Sequence, residues 1–293
     1  MSHRLLLGAH ISIAGGMEKA FDRAALIGCT CMQIFTKSNL QWSAKPLTEE
    51  KIIQFTQRAQ LSSIRPVIAH TSYLINLGSS SQDIEKKSIS SLHIELSRCH
   101  ALHIPYLVLH PGAYVKGSIN VCLKKIAHNL NTVFNQVPGK TIILLENMAG
   151  QGTVIGYALE QLASIYEESS FKHRLGFCID TCHAFTAGYD LRNKEAYNAF
   201  WQQFDSILGI NKLKVIHIND SVKGLGSRID RHTHIGKGTL TLETFRLLFN
   251  DPRFFDIPKI LETPKDNGFQ ADIDNIKTIM QLLTNETKTI LKL

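Results

Sequence analysis

Apolar residues recur along this chain in two rhythms that alternate from one end to the other. Short runs rich in Leu, Ile, Val and Phe fall at 5–11 ("LLLGAHI"), 31–36 ("CMQIFT"), 66–71 ("PVIAHT"), 106–111 ("YLVLHP"), 141–147 ("TIILLEN"), 175–180 ("LGFCID"), 213–219 ("LKVIHIN") and 259–264 ("KILETP"). Their length and composition predict buried strands. Between them lie longer stretches with helical spacing, such as "TEEKIIQFTQRAQL", "DIEKKSISSLHIELSRCHAL" and "ALEQLASIYEES". Thr48 is the expected N-cap of the first of these, without the glutamate of a full capping box at Lys51. Eight strands, each followed by a helix, predict an α/β fold: a single-domain (β/α)8 TIM barrel over residues 1–293. A doubly wound open sheet is the alternative. The longest irregular piece, "NDSVKGLGSRIDRHTHIGKG" (219–238), separates the seventh strand from its helix, and a loop of that length is expected to carry function.

In strands three to eight a His, Asp or Glu stands at or near the C-terminal end: His70, His110, Glu146, Asp180, His217 and Glu262. Side chains alternate along a strand, so each shares a face with the residue two before it. Those predecessors are Ile68, Val108, Leu144, Cys178, Val215 and Ile260, all apolar or thiol, as a packed barrel interior requires. The six polar residues therefore top the interior columns and converge on the C-terminal mouth. One alone would be a solvated cap. Six in register form a metal site.

Three more candidates join them. His183 follows Asp180 by three residues as the chain leaves strand six, and "DRH" in the long loop supplies Asp230 and His232, with His234 as a possible substitute. An extended backbone points residues two apart the same way. A catalytic zinc commonly takes three protein ligands and an open position, so nine ligands suit about three ions, or two with the remaining residues supporting the ligands. Imidazole and carboxylate without thiolate suit zinc or manganese. Such a centre stays net positive and is suited to a phosphoryl group. Within "FCIDTCHAF" (177–185), Asp180 and His183 are thus the expected ligands, Cys178 a core residue and Cys182 a small turn residue.

Composition narrows the setting. Lys and Arg outnumber Asp and Glu by 32 to 25, giving a net charge of +7, which fits a polyanion partner. No apolar run approaches the roughly 18 residues of a membrane span, and the N-terminal apolar segment is too short for a signal peptide. Six cysteines show no repeated C-x-x-C pairing, so reduced thiols and a cytoplasmic location are expected.

Long ordered motifs make the chain similar to the endonuclease IV family of abasic-site DNA repair enzymes. They are "GAHIS" (8–12), "FTKSNLQW" (35–42), "HTSYLINLGS" (70–79), "HPG" (110–112), "ENMAGQG" (146–152), "CIDTCHAFTAGYDLR" (178–192), "HINDS" (217–221), "GSRIDRHTHIGKG" (226–238) and "LETP" (261–264). The resemblance implies a barrel with three zinc ions. His70 and His110 would hold one, with Glu146 bridging to a second that also takes Asp180, His217 and Glu262; His183, Asp230 and His232 would hold the third. It also implies hydrolysis of the DNA backbone 5′ to an abasic site, leaving a 3′-hydroxyl, and trimming of blocked 3′ ends. Glu146 and Glu262 would be the catalytic carboxylates, holding and orienting the attacking water.

The family opens the lesion with inserted side chains, which match Tyr73 and Leu74 here. Where some members carry an arginine between "FTK" and "QW", this chain has Leu40, which can fill space but cannot pair with phosphate; Lys37 nearby is the compensating basic candidate. A monomer acting on double-stranded DNA is the simplest expectation. The alternatives are a metal-dependent sugar isomerase or epimerase, and a DNA-binding scaffold that keeps zinc for stability. "GQGTVIG" (150–156) superficially matches a dinucleotide fingerprint, but its third glycine is one residue late, and a loop near the site is expected. His93, His100, His103, His128 and His173 are expected away from the site, and His10 could support the ligands from behind.

Overall fold

The computed structural model describes residues 3–114, 117–266 and 268–293. Ten strands follow in chain order: β1 (Leu7–Ala9), β2 (Met32–Phe35), β3 (Val67–His70), β4 (Tyr106–Leu109), β5 (Ile142–Glu146), β6 (Leu175–Asp180), β7 (Leu213–His217), β8 (Asp220–Ser221), β9 (His232–Thr233) and β10 (Lys259–Leu261). Eight of them form one parallel sheet in the order β1-β10-β7-β6-β5-β4-β3-β2. The ends meet: His10 bridges Gln33 in parallel, and Ile11 N donates to Gln33 O at 2.7 Å, closing the barrel. The closure is tight. A Cβ on Gly8 would lie 1.9 Å from the Cys31 carbonyl oxygen, so a residue without a side chain is required there. The barrel, rather than the open sheet, is the fold.

Inside it, Cys31, Ile68, Val108, Leu144, Cys178, Val215 and Ile260 form a closed cluster, all fully buried. Six of these are the column residues expected from alternation. A second, larger layer packs the outer strand faces against the helices, anchored by Phe21, Phe55, Phe134, Phe177, Trp201, Phe204 and Phe245. Burying each such aromatic stabilises the fold by about 1.5–3 kcal/mol before entropy is counted. The expected helices appear as α2 (Glu49–Leu61), α3 (Gln82–Ala101) and α5 (Leu159–Glu168), among ten in all from α1 (Lys19–Ile27) to α10 (Asn285–Leu291) among the described residues. Thr48 caps α2, its side chain accepting from Lys51 N at 3.4 Å.

Two local differences from the sequence reading bear on the site. Strand six runs directly into a short helix, α6 (Thr181–Ala187), so Cys182 is a buried first-turn residue of a helix and not part of a turn. The 219–238 loop is also more ordered than its composition implies. β8 and β9 pair antiparallel, Asp220 with Thr233 and Ser221 with His232. The buried Asp220 carboxylate then accepts from Gly236 N, Gly238 N and Leu240 N, each at 3.0 Å. Backbone donors that a glycine-rich loop would otherwise leave to water are satisfied by one side chain. The loop is folded over the mouth by that carboxylate.

Candidate metal centre

The strand ends deliver the polar residues to one place. His70, Glu146, Asp180 and His217 are the last residues of β3, β5, β6 and β7, while His110 and Glu262 lie one position beyond β4 and β10. Their donor atoms, with those from α6 and the long loop, fall into three groups whose members lie within 4.8 Å of one another. These are His70, His110 and Glu146; Glu146, Asp180, His217 and Glu262; and His183, Asp230 and His232. Glu146 belongs to the first two. Its Oε2 is 3.2 Å from both His70 Nε2 and His110 Nε2, and its Oε1 is 2.9 Å from His217 Nδ1. In the third group Asp230 stands between two imidazoles, 3.2 Å from His183 Nε2 and 3.1 Å from His232 Nε2.

The three-residue spacing of Asp180 and His183 has a local cause. Asp180 is the N-cap of α6, and its Oδ1 accepts from His183 N at 2.8 Å. An N-cap carboxylate bonds the amide two or three residues on, which places His183 in the first helical turn beside it. Asp180 is also positioned by two amides that the sequence reading did not single out. Asn147 Oδ1 accepts from Asp180 N at 2.6 Å, and Asn219 Nδ2 donates to Asp180 Oδ2 at 2.5 Å. Asn219 Oδ1 meanwhile accepts from Glu262 N at 2.9 Å, joining the ends of β6 and β10 through one side chain.

Does this donor set fit metal ions? The imidazoles answer. His70 Nδ1 donates to Thr71 O at 2.7 Å, His183 Nδ1 to Asn147 O at 2.9 Å, and His232 Nδ1 to Glu262 O at 3.2 Å. Each backbone carbonyl fixes the tautomer, leaving Nε2 as the inward lone pair, the arrangement found around metal-bound histidines. His183 Nε2 and His232 Nε2 are buried and face the Asp230 carboxylate at 3.2 and 3.1 Å, yet neither makes a well-aligned hydrogen bond within the protein. Buried polar atoms so poorly satisfied by the protein are suited to a ligand that takes them up. The residues fit a metal cluster.

Without ions, the charges compensate one another. Burial opposes the charge on Glu146, but His217 and His110 outweigh it and hold the carboxyl well below its usual range. Glu262 behaves alike, burial being outweighed by His217 and His10. Burial likewise disfavours a charged His183, yet Asp180 and Asp230 raise it well above its ordinary value. Cys178 can replace members of the second group, and Cys182 can join Asp180 and His232. Burial pushes both thiols up to about 12, so each is a poorer donor than the carboxylates it would displace. His234 lies apart, its Nδ1 3.1 Å from Asn275 Nδ2, and joins none of the groups.

A cavity of about 460 Å³ opens over the cluster, lined by Tyr73, His110, Gln151, His183, Asp230 and His232 among others. The 150–156 loop therefore does border the mouth, through Gln151 and Val154. Tyr73 overhangs the histidines, its ring 5.4 Å from that of His70 and 5.5 Å from that of His110, and stays 54% exposed. Leu40 is 78% exposed, and Leu74 is half-buried. Lys37 is the correction. Its side chain turns inward to an ion pair with Glu95 at 3.1 Å and is 2% exposed, because Glu95 offers a buried charge that needs a partner; it does not reach outward toward a phosphate.

An eight-stranded barrel with a carboxylate–imidazole cluster at the C-terminal mouth defines a metal-dependent barrel protein, and the model of a family described as xylose isomerase-like TIM barrel matches residues 21–285. The chain belongs to the endonuclease IV family within that class. It is 46% identical over 277 residues to the probable endonuclease 4 of Chloroflexus aggregans, covering 94% of this chain and 97% of that one. It superposes on the endonuclease IV of Thermus thermophilus with a TM-score of 0.83 at 33% identity, covering 94% of this chain and 98% of the other. A D-tagatose 3-epimerase-like protein matches with a TM-score of 0.71 at 17% identity, covering 100% of this chain and 98% of the other, which shows the shared barrel alone.

Proposed function

We propose that this protein is a DNA repair endonuclease that hydrolyses the backbone 5′ to abasic sites, leaving a 3′-hydroxyl, and trims blocked 3′ ends. The observation that carries the reading is three donor groups gathered at one barrel mouth, two of them sharing Glu146. In this reading zinc is the metal and three ions are held. His70, His110 and Glu146 would hold the first, Glu146 with Asp180, His217 and Glu262 the second, and His183, Asp230 and His232 the third. When bound, the ions would polarise the phosphoryl oxygens and make water nucleophilic at neutral pH.

The chain's own residues do the rest. Glu146 is buried and bridges two donor groups, so its task is to fix their separation. Glu262 lines the mouth cavity while its Oε2 stays 3.1 Å from His217 Nδ1, which leaves it placed to orient a water toward phosphorus. Tyr73 and Leu74, with Leu40 from the neighbouring loop, supply the wedge that replaces stacking at an opened lesion. The net charge of +7 favours a polyanionic duplex. Residues 1–293 act as one barrel domain and as a monomer, since one mouth carries every ligand.

Chelator-stripped protein reloaded with Zn2+ tests the reading. It should cut a duplex containing an abasic analogue and leave aldose and ketose sugars unchanged. Sugar interconversion without DNA cleavage would move the site to the isomerase class.

A further inference from the structure

Gln33 stands on β2, two residues above the interior Cys31 and in the same column, at the height where the neighbouring strands carry their acidic and histidine residues. It is fully buried. Its amide is saturated by three partners from three other strand ends. Oε1 lies 2.9 Å from His217 Nε2, Nε2 donates to Glu262 Oε1 at 2.6 Å, and the same nitrogen is 3.0 Å from His10 Nδ1. The orientation of the amide follows from these contacts. Turned over, it would set its oxygen against the Glu262 carboxylate and its NH2 against the His217 N–H.

We propose that Gln33 is a positioning residue for the metal site, fixing the ring of His217 and the carboxylate of Glu262 together. By accepting from His217 Nε2–H it leaves Nδ1 as the lone pair facing Glu146 Oε1 at 2.9 Å and Glu262 Oε2 at 3.1 Å. By donating to Glu262 Oε1 it leaves Oε2 turned toward the shared space. The other three imidazoles with a fixed tautomer use backbone carbonyls for this purpose. His217 uses a side chain, and that side chain holds a second ligand as well. His10 Nδ1 takes the remaining amide hydrogen and lies 3.4 Å from Glu262 Oε1, so without Gln33 two acceptors would face each other and nothing would hold that oxygen in place. The inference rests on the reading of His217 and Glu262 as ligands.

Metal-free wild type, Gln33→Leu, Gln33→Met and Glu262→Gln are titrated with Co2+ against a chelator, following the visible absorption of the bound ion. Both Gln33 variants should lose about 10–100-fold in affinity for one ion while the others bind as before. Their cobalt spectra should change, and kcat on an abasic duplex should fall with KM held. Unfolding temperatures of the metal-free variants should fall modestly and alike in both, since His217 and Glu262 each lose a buried partner; a role in stability alone would lower these and spare the cobalt affinity. Met guards against a cavity left by Leu. If both Gln33 variants bind every ion within twofold of wild type while Glu262→Gln does not, the inference fails and the ligand reading stands. If Glu262→Gln also binds the full complement unchanged, the ligand reading falls and takes the inference with it.

Discussion

Lys37 and Glu95 form an ion pair sealed from solvent, Nζ to Oε1 at 3.1 Å, with side chains 2% and 1% exposed. The pair joins the two loops that carry the wedge residues. Lys37 also donates to Gln41 O at 2.5 Å, and the Glu95 carboxylate accepts from Ser72 N at 3.1 Å. Ser72 Oγ in turn donates to Asn39 O at 2.7 Å. Leu40 and Tyr73 are thus presented from one support on α3.

Glu95→Gln should therefore do two things. Leaving Lys37 buried without its counter-charge should cost about 3–5 kcal/mol of stability, read by denaturant unfolding. Loosening the two loops should raise KM for a lesion duplex more than it lowers kcat. Lys37→Met combined with Glu95→Leu should recover most of the stability and little of the KM.

Leu40 is an exposed apolar residue beside Asn39, whose carbonyl accepts from Ser72 next to Tyr73; it can fill space but release no counterions. Leu40→Arg should tighten duplex binding at low salt. The slope of log K against log salt should steepen by about 0.9, measured by fluorescence anisotropy across a salt series.

Metal uptake should release protons. Burial disfavours a charged His232, but Asp180 and Asp230 outweigh it and raise its pKa to about 9 in the metal-free protein. Below that pH an incoming ion displaces a proton, so affinity should fall by at least about tenfold per pH unit. Calorimetry in buffers of different ionisation enthalpy counts the protons directly. Affinity independent of pH between about 6 and 8 would contradict this.

Lys259 stands at the start of β10, fully enclosed, its Nζ donating to Phe254 O and, at 2.9 Å, to Ile257 O. Burial lowers its pKa from 10.5 to about 7. The unfolded chain then holds a proton that the folded chain has lost between these values, so stability contributed by this residue rises with pH across that window and is lowest below about 7. Lys259→Met removes the dependence. Its unfolding free energy relative to wild type should improve by a few kcal/mol on going from about pH 10 to about pH 6.

The barrel interior was legible because strand alternation is strict. Ile68, Val108, Leu144, Cys178, Val215 and Ile260 all lie in the inner cluster, and the residues two positions on from them converge at the mouth as the pattern required. The amides were not legible. Gln33, Asn147 and Asn219 are not metal donors by type, and their value comes from partners far along the chain, such as the 2.9 Å contact of Gln33 with His217. Lys37 misled for the same reason: a lysine beside a recognition motif reads as a phosphate contact until Glu95 is seen beneath it. The order in the 219–238 loop depends on the single carboxylate of Asp220, whose distant backbone partners no local pattern announces.

Lesion-specific, metal-dependent cleavage of DNA can be read at the ends of the product strands. A labelled duplex with one stable abasic analogue and its undamaged counterpart are incubated with zinc-loaded wild type and with Glu262→Gln. The account predicts a single cut 5′ to the analogue with a 3′-hydroxyl, none in the undamaged duplex, and a rate at least about a hundredfold lower in the variant. Binding without cleavage by the loaded wild type, or equal cleavage of both duplexes, would contradict it.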